Sequence, residues 1–157
     1  MTPHQAPVLL VGVDGTLGSR DALEAASDLA LATGARLLAV HVESTPAAIA
    51  LGSAVATGAL AEANDLAADA AHLDCELVLA ARPVDWSFVT RRGDIVSELQ
   101  RSAEENRAAC IVVGRHGHRL VSRMVLGSVT GRLVHHAPIP VLVVPPRDRS
   151  VSAATSD

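Results

Sequence analysis

Gly114, Gly117, Gly127 and Ser128 stand in the order G-x-x-G, nine residues, G-S, within CIVVGRHGHRLVSRMVLGSVTGRLV at 110–134. Glycines this close together let a backbone take positive φ and turn successive N–H groups toward one anion. Ser128 and Thr130 add hydroxyls where a helix is expected to begin, and the unpaired amides of a helix N-terminus carry roughly half a positive charge. Arg115, His116, His118, Arg119 and Arg123 lie between them, and no acidic residue occurs from 106 to 147. The chemistry these residues suit is the cradling of phosphate. Loops and helix N-termini occur in every α/β protein, and basic loops are usually only solvated. The spacing, the G-S-V-T helix entry and the uniform basic sign together lift this loop above that ordinary reading.

A second group sits near the N-terminus. Asp14-Gly15-Thr16-Leu17 invites comparison with phosphatases of the haloacid-dehalogenase type, which begin D-x-D-G-T-L. Here Gly12 stands where the nucleophilic aspartate would be, so no covalent aspartyl-phosphate can form. Asp14 is left as a turn and helix-capping residue, or as a carboxylate accepting hydrogen bonds from a ribose, and the two are compatible. Gly12, Gly15 and Gly18 are spaced G-x-x-G-x-x-G rather than G-x-G-x-x-G, which argues against a dinucleotide fingerprint.

The elements that must position these groups follow from hydrophobic pattern. Val8 to Val13 is a continuous apolar run, as in a strand covered on both faces. Ser19 is the expected N-cap of a helix in which Ala22, Leu23, Ala26, Leu29, Ala30 and Thr33 recur at helical spacing until Gly34 stops it. Arg36 to Val42 reads as a second strand, and a right-handed β-α-β crossover makes the pair parallel. Residues 43–57 form an Ala-rich connection. Ala59 to Ala81 contains no Gly or Pro and predicts one long helix, with a stripe of Ala59, Ala63, Leu66, Ala70, Leu73, Leu77 and Ala81. After Pro83, Val84, Trp86 and Phe88 alternate with Asp85, Ser87 and Val89, the pattern of an edge strand. Gly93-Asp94 opens a third helix with Ile95, Leu99 and Ala103 inward. Cys110 to Val113 is the fourth strand, 128–136 the fourth helix, and Pro140 to Val144 the fifth strand.

Strands and helices alternating in this way predict an α/β fold: an open five-stranded parallel sheet with helices on both faces, Rossmann-like. Residues 1–146 are read as one domain and 147–157 as a polar, disordered tail. Ligands of such sheets bind beyond the carboxyl ends of the strands, where strand order reverses. Asp14, Val42 and Gly114 all sit at such ends.

With 157 residues, 49% of them apolar, the chain can bury a core without metals or disulfides, and one Trp, one Phe and no Tyr make that core aliphatic. A net charge of −4 argues against general nucleic-acid binding. All 13 basic residues are Arg, which excludes Schiff-base chemistry and a Walker A loop. The start, MTPHQAP, resembles neither a signal peptide nor a membrane span, and a cytosolic, membrane-free protein is expected. Cys75 and Cys110 form no C-x-x-C and read as small buried hydrophobes. His135-His136 reads as a dipole-favourable surface pair rather than a metal site. His41 and His72 carry no usable signal.

The G-x-x-G, nine residues, G-S signature resembles that of universal stress proteins of the ATP-binding subclass. VLLVGVDGT at 8–16, LLAVHV at 37–42, RRGD at 91–94 and PIPVLVVP at 138–145 extend the resemblance to all but the termini. The resemblance implies that the first and fourth strands are neighbours. It implies that Gly114, Gly117, Gly127, Ser128 and Thr130 hold phosphates, with backbone amides of Arg115, His116 and Val129 nearby. Asp14 and the backbone of Val13 and Val42 would hold the adenosine. The cofactor would be ATP, with Mg2+ bound through phosphate oxygens and waters. The protein would act as a nucleotide-dependent regulator or interaction module in a stress response, its protein partner unknown. A homodimer through 139–144 is implied too, since an exposed apolar edge strand is a liability unless paired. Cyclic AMP is an alternative ligand, for which a two-part cradle is oversized. A dimeric scaffold without nucleotide is a third reading, disfavoured by the intact glycines. No base or nucleophile can be assigned, so no enzyme is expected, although slow hydrolysis of ATP by a bound water stays open.

Overall fold

The residues described in the computed structural model are 6–44, 54–115 and 126–148. They alternate strictly: β1 (Val8–Gly12), α1 (Leu17–Thr33), β2 (Arg36–Glu43), α2 (Ala54–Leu79), β3 (Trp86–Arg92), α3 (Ile95–Glu105), β4 (Ala108–Gly114), α4 (Ser128–His136) and β5 (Val141–Val144). All strand pairs are parallel and the order is β3-β2-β1-β4-β5. The expected architecture is thus observed, and strand order reverses between β1 and β4.

Each strand feeds two cores, because successive residues point to opposite faces. Leu9 and Val11 of β1 join Ala22, Leu23, Ala26 and Ala30 of α1 and Ala71, Cys75 and Leu79 of α2 on one face. Val8 and Leu10 join Val96, Leu99 and Ala103 of α3 and Leu133 of α4 on the other. Two covered faces explain why the strands read as unbroken apolar runs. Cys75 and Cys110 are free thiols, and burial, reinforced by the charges of Asp74 and Glu76, pushes the Cys75 thiol up to about 12, as suits an inert core residue.

Two local expectations are corrected. The N-cap of α1 is Thr16, not Ser19: Thr16 Oγ1 accepts from Ser19 N at 3.3 Å, while Asp14 Oδ1 accepts from Thr16 N and Oγ1 at 3.0 and 2.6 Å. Gly15, at φ 77°, permits this turn, and Gly34, at φ 69°, ends the helix as expected. The second concerns α2, expected from Ala59 to Ala81 and observed over Ala54–Leu79. The Leu66, Leu73 and Leu77 stripe faces outward, at 70%, 53% and 65% exposure, and the helix packs through the smaller Ala71 and Cys75 together with Leu79. Small residues let α2 lie close against α1 and the sheet.

The expected polar tail begins docked. Arg147 donates its backbone N–H to Asp21 Oδ2 at 3.0 Å, and its guanidinium pairs with Glu24 at 2.6 Å. Residues 149–157 of that tail lie outside the described residues. Among those described, no helix is long and apolar enough to cross a membrane.

Candidate functional site

A cavity of ≈ 170 Å³ opens at the carboxyl ends of β1 and β4, where strand order reverses. Its walls are chiefly aliphatic: Val13 from β1's end, Val40 and Val42 from β2, Ile95 and Leu99 from α3, and Val113 and Val129. Asp14, Gly114 and Thr130 supply polar or open positions on the same lining. Six of the expected site residues, Val13, Asp14, Val42, Gly114, Val129 and Thr130, therefore meet around one space. Gly127 and Ser128 stand beside it at the start of α4. His116 and Gly117 lie outside the described residues.

Main-chain bonding decides what each position can offer. Val40 gives its carbonyl to Val13 N at 2.9 Å, so in a parallel ladder the main-chain groups of Val42 point the same way, past the end of β1. Val42 can thus present an N–H and a carbonyl to a ligand. Val13 is more committed than expected. Its N–H is taken by Val40, and its carbonyl accepts from His41 Nδ1 at 2.9 Å, which leaves the ligand its side chain and one carbonyl lone pair. His41, buried on β2, was not singled out by sequence. A histidine inside the apolar run LLAVHV is the signal for a buried polar anchor, and here it fixes the Val13-Asp14 turn.

Gly114 does not take positive φ, contrary to expectation: among the described glycines only Gly15, Gly34 and Gly93 do. Its side chain is missing for another reason. A Cβ at 114 would lie 2.0 Å from the carbonyl oxygen of Gly18, in the first turn of α1. Gly18 is tight in return, since a Cβ there would meet Arg115 O at 3.2 Å. Backbone crosses backbone at this point, so position 114 has no room for a side chain and position 18 little. Arg115 is also corrected: its amide donates to Val144 O at 2.8 Å, which spends it on the β4–β5 edge rather than on an anion.

The other half of the cradle is open. Gly127 caps α4 without any side-chain hydrogen bond, and among the described residues no side chain is bonded to the first-turn amides of that helix. Ser128 is exposed there, and buried Thr130 sets its hydroxyl 3.5 Å from Gly114 O, tying the helix start to the end of β4. Two carboxylates near the strand ends, Glu43 and Asp94, are matched by arginines. Glu43 is buried and receives Arg92 NH2 and Nε at 2.8 and 2.9 Å. Asp94 caps α3 through Ser97 N and takes a two-pronged contact from Arg132 of α4, both at 2.9 Å. That hydrogen bonding, first from Arg132 and then from Ser97, holds the Asp94 carboxyl well below the usual carboxylate range. The RRGD segment therefore serves as a charge-balancing corner. Among the described residues no His, Cys, Asp or Glu cluster could hold a metal ion.

An open parallel sheet with an apolar cleft and an uncapped helix start at its switch point is the architecture of a small-ligand-binding α/β domain. The chain belongs to the universal stress protein family, whose model matches residues 7–145. A universal stress protein of Mycobacterium tuberculosis is 34% identical over 153 residues, covering 90% of this chain and 46% of that relative. The chain thus spans about half the length of the curated mycobacterial relatives it matches. Among solved structures, UspA of Lactobacillus plantarum superposes with a TM-score of 0.73 at 24% identity, covering 88% of this chain and 97% of that one. A universal stress protein described as a complex with cAMP superposes at 0.69 with 23% identity, covering 90% and 98%. The fold and the neighbouring first and fourth strands implied by the resemblance are both present.

Proposed function

We propose that the cleft binds an adenine nucleotide, ATP with Mg2+, and that the bound state regulates a partner or the protein's own assembly in a cytosolic stress response. The observation that carries this reading is an aliphatic cleft lying directly beside a helix N-terminus without a side-chain cap. An adenine base suits the Val, Ile and Leu walls, with its edge read by the main chain of Val42 and its ribose by Asp14. The phosphates suit the amides that follow Gly127 and the hydroxyls of Ser128 and Thr130, and the 116–117 turn is proposed to complete the cradle. Arg92 and Arg132 neutralise Glu43 and Asp94, and Asp14, the carboxylate on the lining itself, is assigned to the ribose. Bound triphosphate would supply the oxygens that hold Mg2+, for which this chain brings no carboxylate cluster among its described residues. With no assignable base or nucleophile, the role is binding rather than catalysis.

A second reading is cyclic AMP. It is favoured because Gly114 and Arg115 are committed to packing and sheet bonding, which leaves the start of α4 as the one anion site among the described residues. A universal stress protein described in complex with cAMP supports it, and one from Archaeoglobus fulgidus, superposing at 0.62 with 17% identity, is described with dAMP, a linear monophosphate that likewise needs a single anion site. Homodimerisation is also proposed, through β5 at the sheet edge, where Leu142 is exposed.

The test is calorimetric titration of nucleotide-stripped protein with ATP, with and without Mg2+, and with cyclic AMP as competitor. Saturation by ATP near one site per chain supports the first reading, and preference for cyclic AMP supports the second. Binding of neither removes both and leaves an interaction module.

A further inference from the structure

We propose that the outer face of α2 is a docking surface for a basic amphipathic helix of a partner protein. This rests on residues remote from the cleft and does not depend on nucleotide binding. Ala59, Ala63, Leu66, Ala70, Leu73 and Leu77 alternate at intervals of four and three, the spacing of a coiled-coil seam, and all six are exposed. The helix has no need of them for its own packing, which runs through Ala71, Cys75 and Leu79 on the opposite side. A leucine seam left in water over several turns is the surface against which another helix lies.

Charge identifies the occupant. At 100° per residue, Glu62, Asp65, Asp69 and Glu76 fall along one flank of the seam, and all four are exposed. His72, on that same flank, packs against Phe88 and Trp86 of β3, with ring centroids 4.8 and 6.0 Å apart, so the acidic rail runs on the β3 side. The other flank, toward α1, carries Leu60 and Ala67. Asp74 on that side is already paired with Arg20 of α1. No arginine or lysine occurs between Arg36 and Arg82, so α2 offers neither to the rail; His72 Nε2 lies 4.0 Å from Glu76. A second copy is a poor fit. Antiparallel self-pairing would set the acidic rail against itself, and parallel self-pairing would set it against Leu60, Ala67 and Asp74, none of them a cation. A helix with aliphatic residues at the seam and Arg or Lys along one flank satisfies both features.

The experiment uses the full chain and a fluorescein-labelled peptide of about three heptads, leucine at a and d and arginine at e and g, read by fluorescence anisotropy. Saturable binding is expected, weakened about tenfold or more by Leu73→Gln and by Asp69→Arg. A matching peptide with glutamate at e and g should fail on the natural chain and bind the Glu62→Arg, Asp69→Arg, Glu76→Arg variant. Circular dichroism confirms that these surface variants stay folded. Three results overturn the proposal: no binding, equal binding to a Leu66→Gln, Leu73→Gln, Leu77→Gln variant, or indifference to the charge exchange. Concentration-dependent self-association in sedimentation, abolished by the same leucine substitutions, overturns it in favour of a second copy as the occupant.

Discussion

Gly114→Ala separates packing from ligand binding at the glycine-rich loop. The added Cβ would sit 2.0 Å from Gly18 O, 2.3 Å from Gly18 C and 3.0 Å from Gly18 Cα, all backbone atoms that cannot rotate away. Relief requires β4 or the first turn of α1 to move by more than an ångström, although Leu23, Val11 and Val112 are packed beneath. Overpacking a tight core costs about 1–3 kcal/mol for added methylenes, and a backbone-to-backbone clash belongs at or above the upper end. About 3 kcal/mol in a chain of this length lowers Tm by about 6–12 °C. Gly131→Ala is the control. It lies within α4, a Cβ there meets nothing within 4 Å, and the change should stabilise by ~0.5–1 kcal/mol. Urea unfolding of both variants without nucleotide is the assay. An unchanged midpoint for Gly114→Ala, with nucleotide affinity alone reduced, would refute the packing argument and return Gly114 to the anion site.

Gly127→Val should behave in the opposite way. The φ of −58° at Gly127 is open to any residue, so the fold should persist, while the side chain crowds the proposed anion site and weakens nucleotide by at least ~2 kcal/mol in calorimetry. Val143→Arg should shift a β5-paired dimer to monomer or aggregate, and light scattering that finds an unchanged dimer counts against that interface. The Asp94 carboxyl is held low in the folded chain, so its contribution is present above the ordinary unfolded pKa near ~3.9 and is lost as pH falls toward the folded value. Arg132→Ala should raise the Asp94 pKa toward the ordinary value in an NMR titration, and an unmoved titration would show that the two-pronged contact does not persist in solution.

The parallel sheet was legible because strands buried on both faces leave unbroken apolar runs, and Val8 to Val13 could be little else. The cleft was legible through the ends of those runs: Asp14, Val42 and Gly114 each mark a strand terminus. Long-range causes were not. Nothing in the spacing of 114 and 117 announces that Gly114 is a glycine because Gly18 crosses it, and Gly18 had been weighed only against a dinucleotide fingerprint. Ser19 and Thr16 are both good caps, and only the backbone, with Asp14 bracing Thr16, chooses between them. The α2 stripe is the most instructive case. In an Ala-rich helix two faces can serve as the buried one, and the larger side chains are the natural choice. Close approach to α1 and the sheet selects the smaller residues and leaves the leucines outside.

Charge at the strand ends links the fold to the proposed function. Placing a phosphate beside a cleft calls for more than donors at a helix start, because carboxylates nearby would oppose it across short distances. Among the described residues, two carboxylates at the rim, Glu43 at the end of β2 and Asp94 at the start of α3, are paired with arginines, while Asp14 on the lining itself accepts from Thr16. Arg92, on the neighbouring strand, covers Glu43, and Arg132, one turn into the helix whose amides would meet the anion, holds Asp94. Because Arg132 and those amides share one helix, the pair also joins α4 to α3 on either side of Ile95 and Val129, which line the cleft. Arg132 thus ties the first turn of α4 to the Asp94 cap of α3, and that cap adjoins the RRGD corner. This contact lies on the α3–α4 face of the sheet, opposite the face packed by α1 and α2.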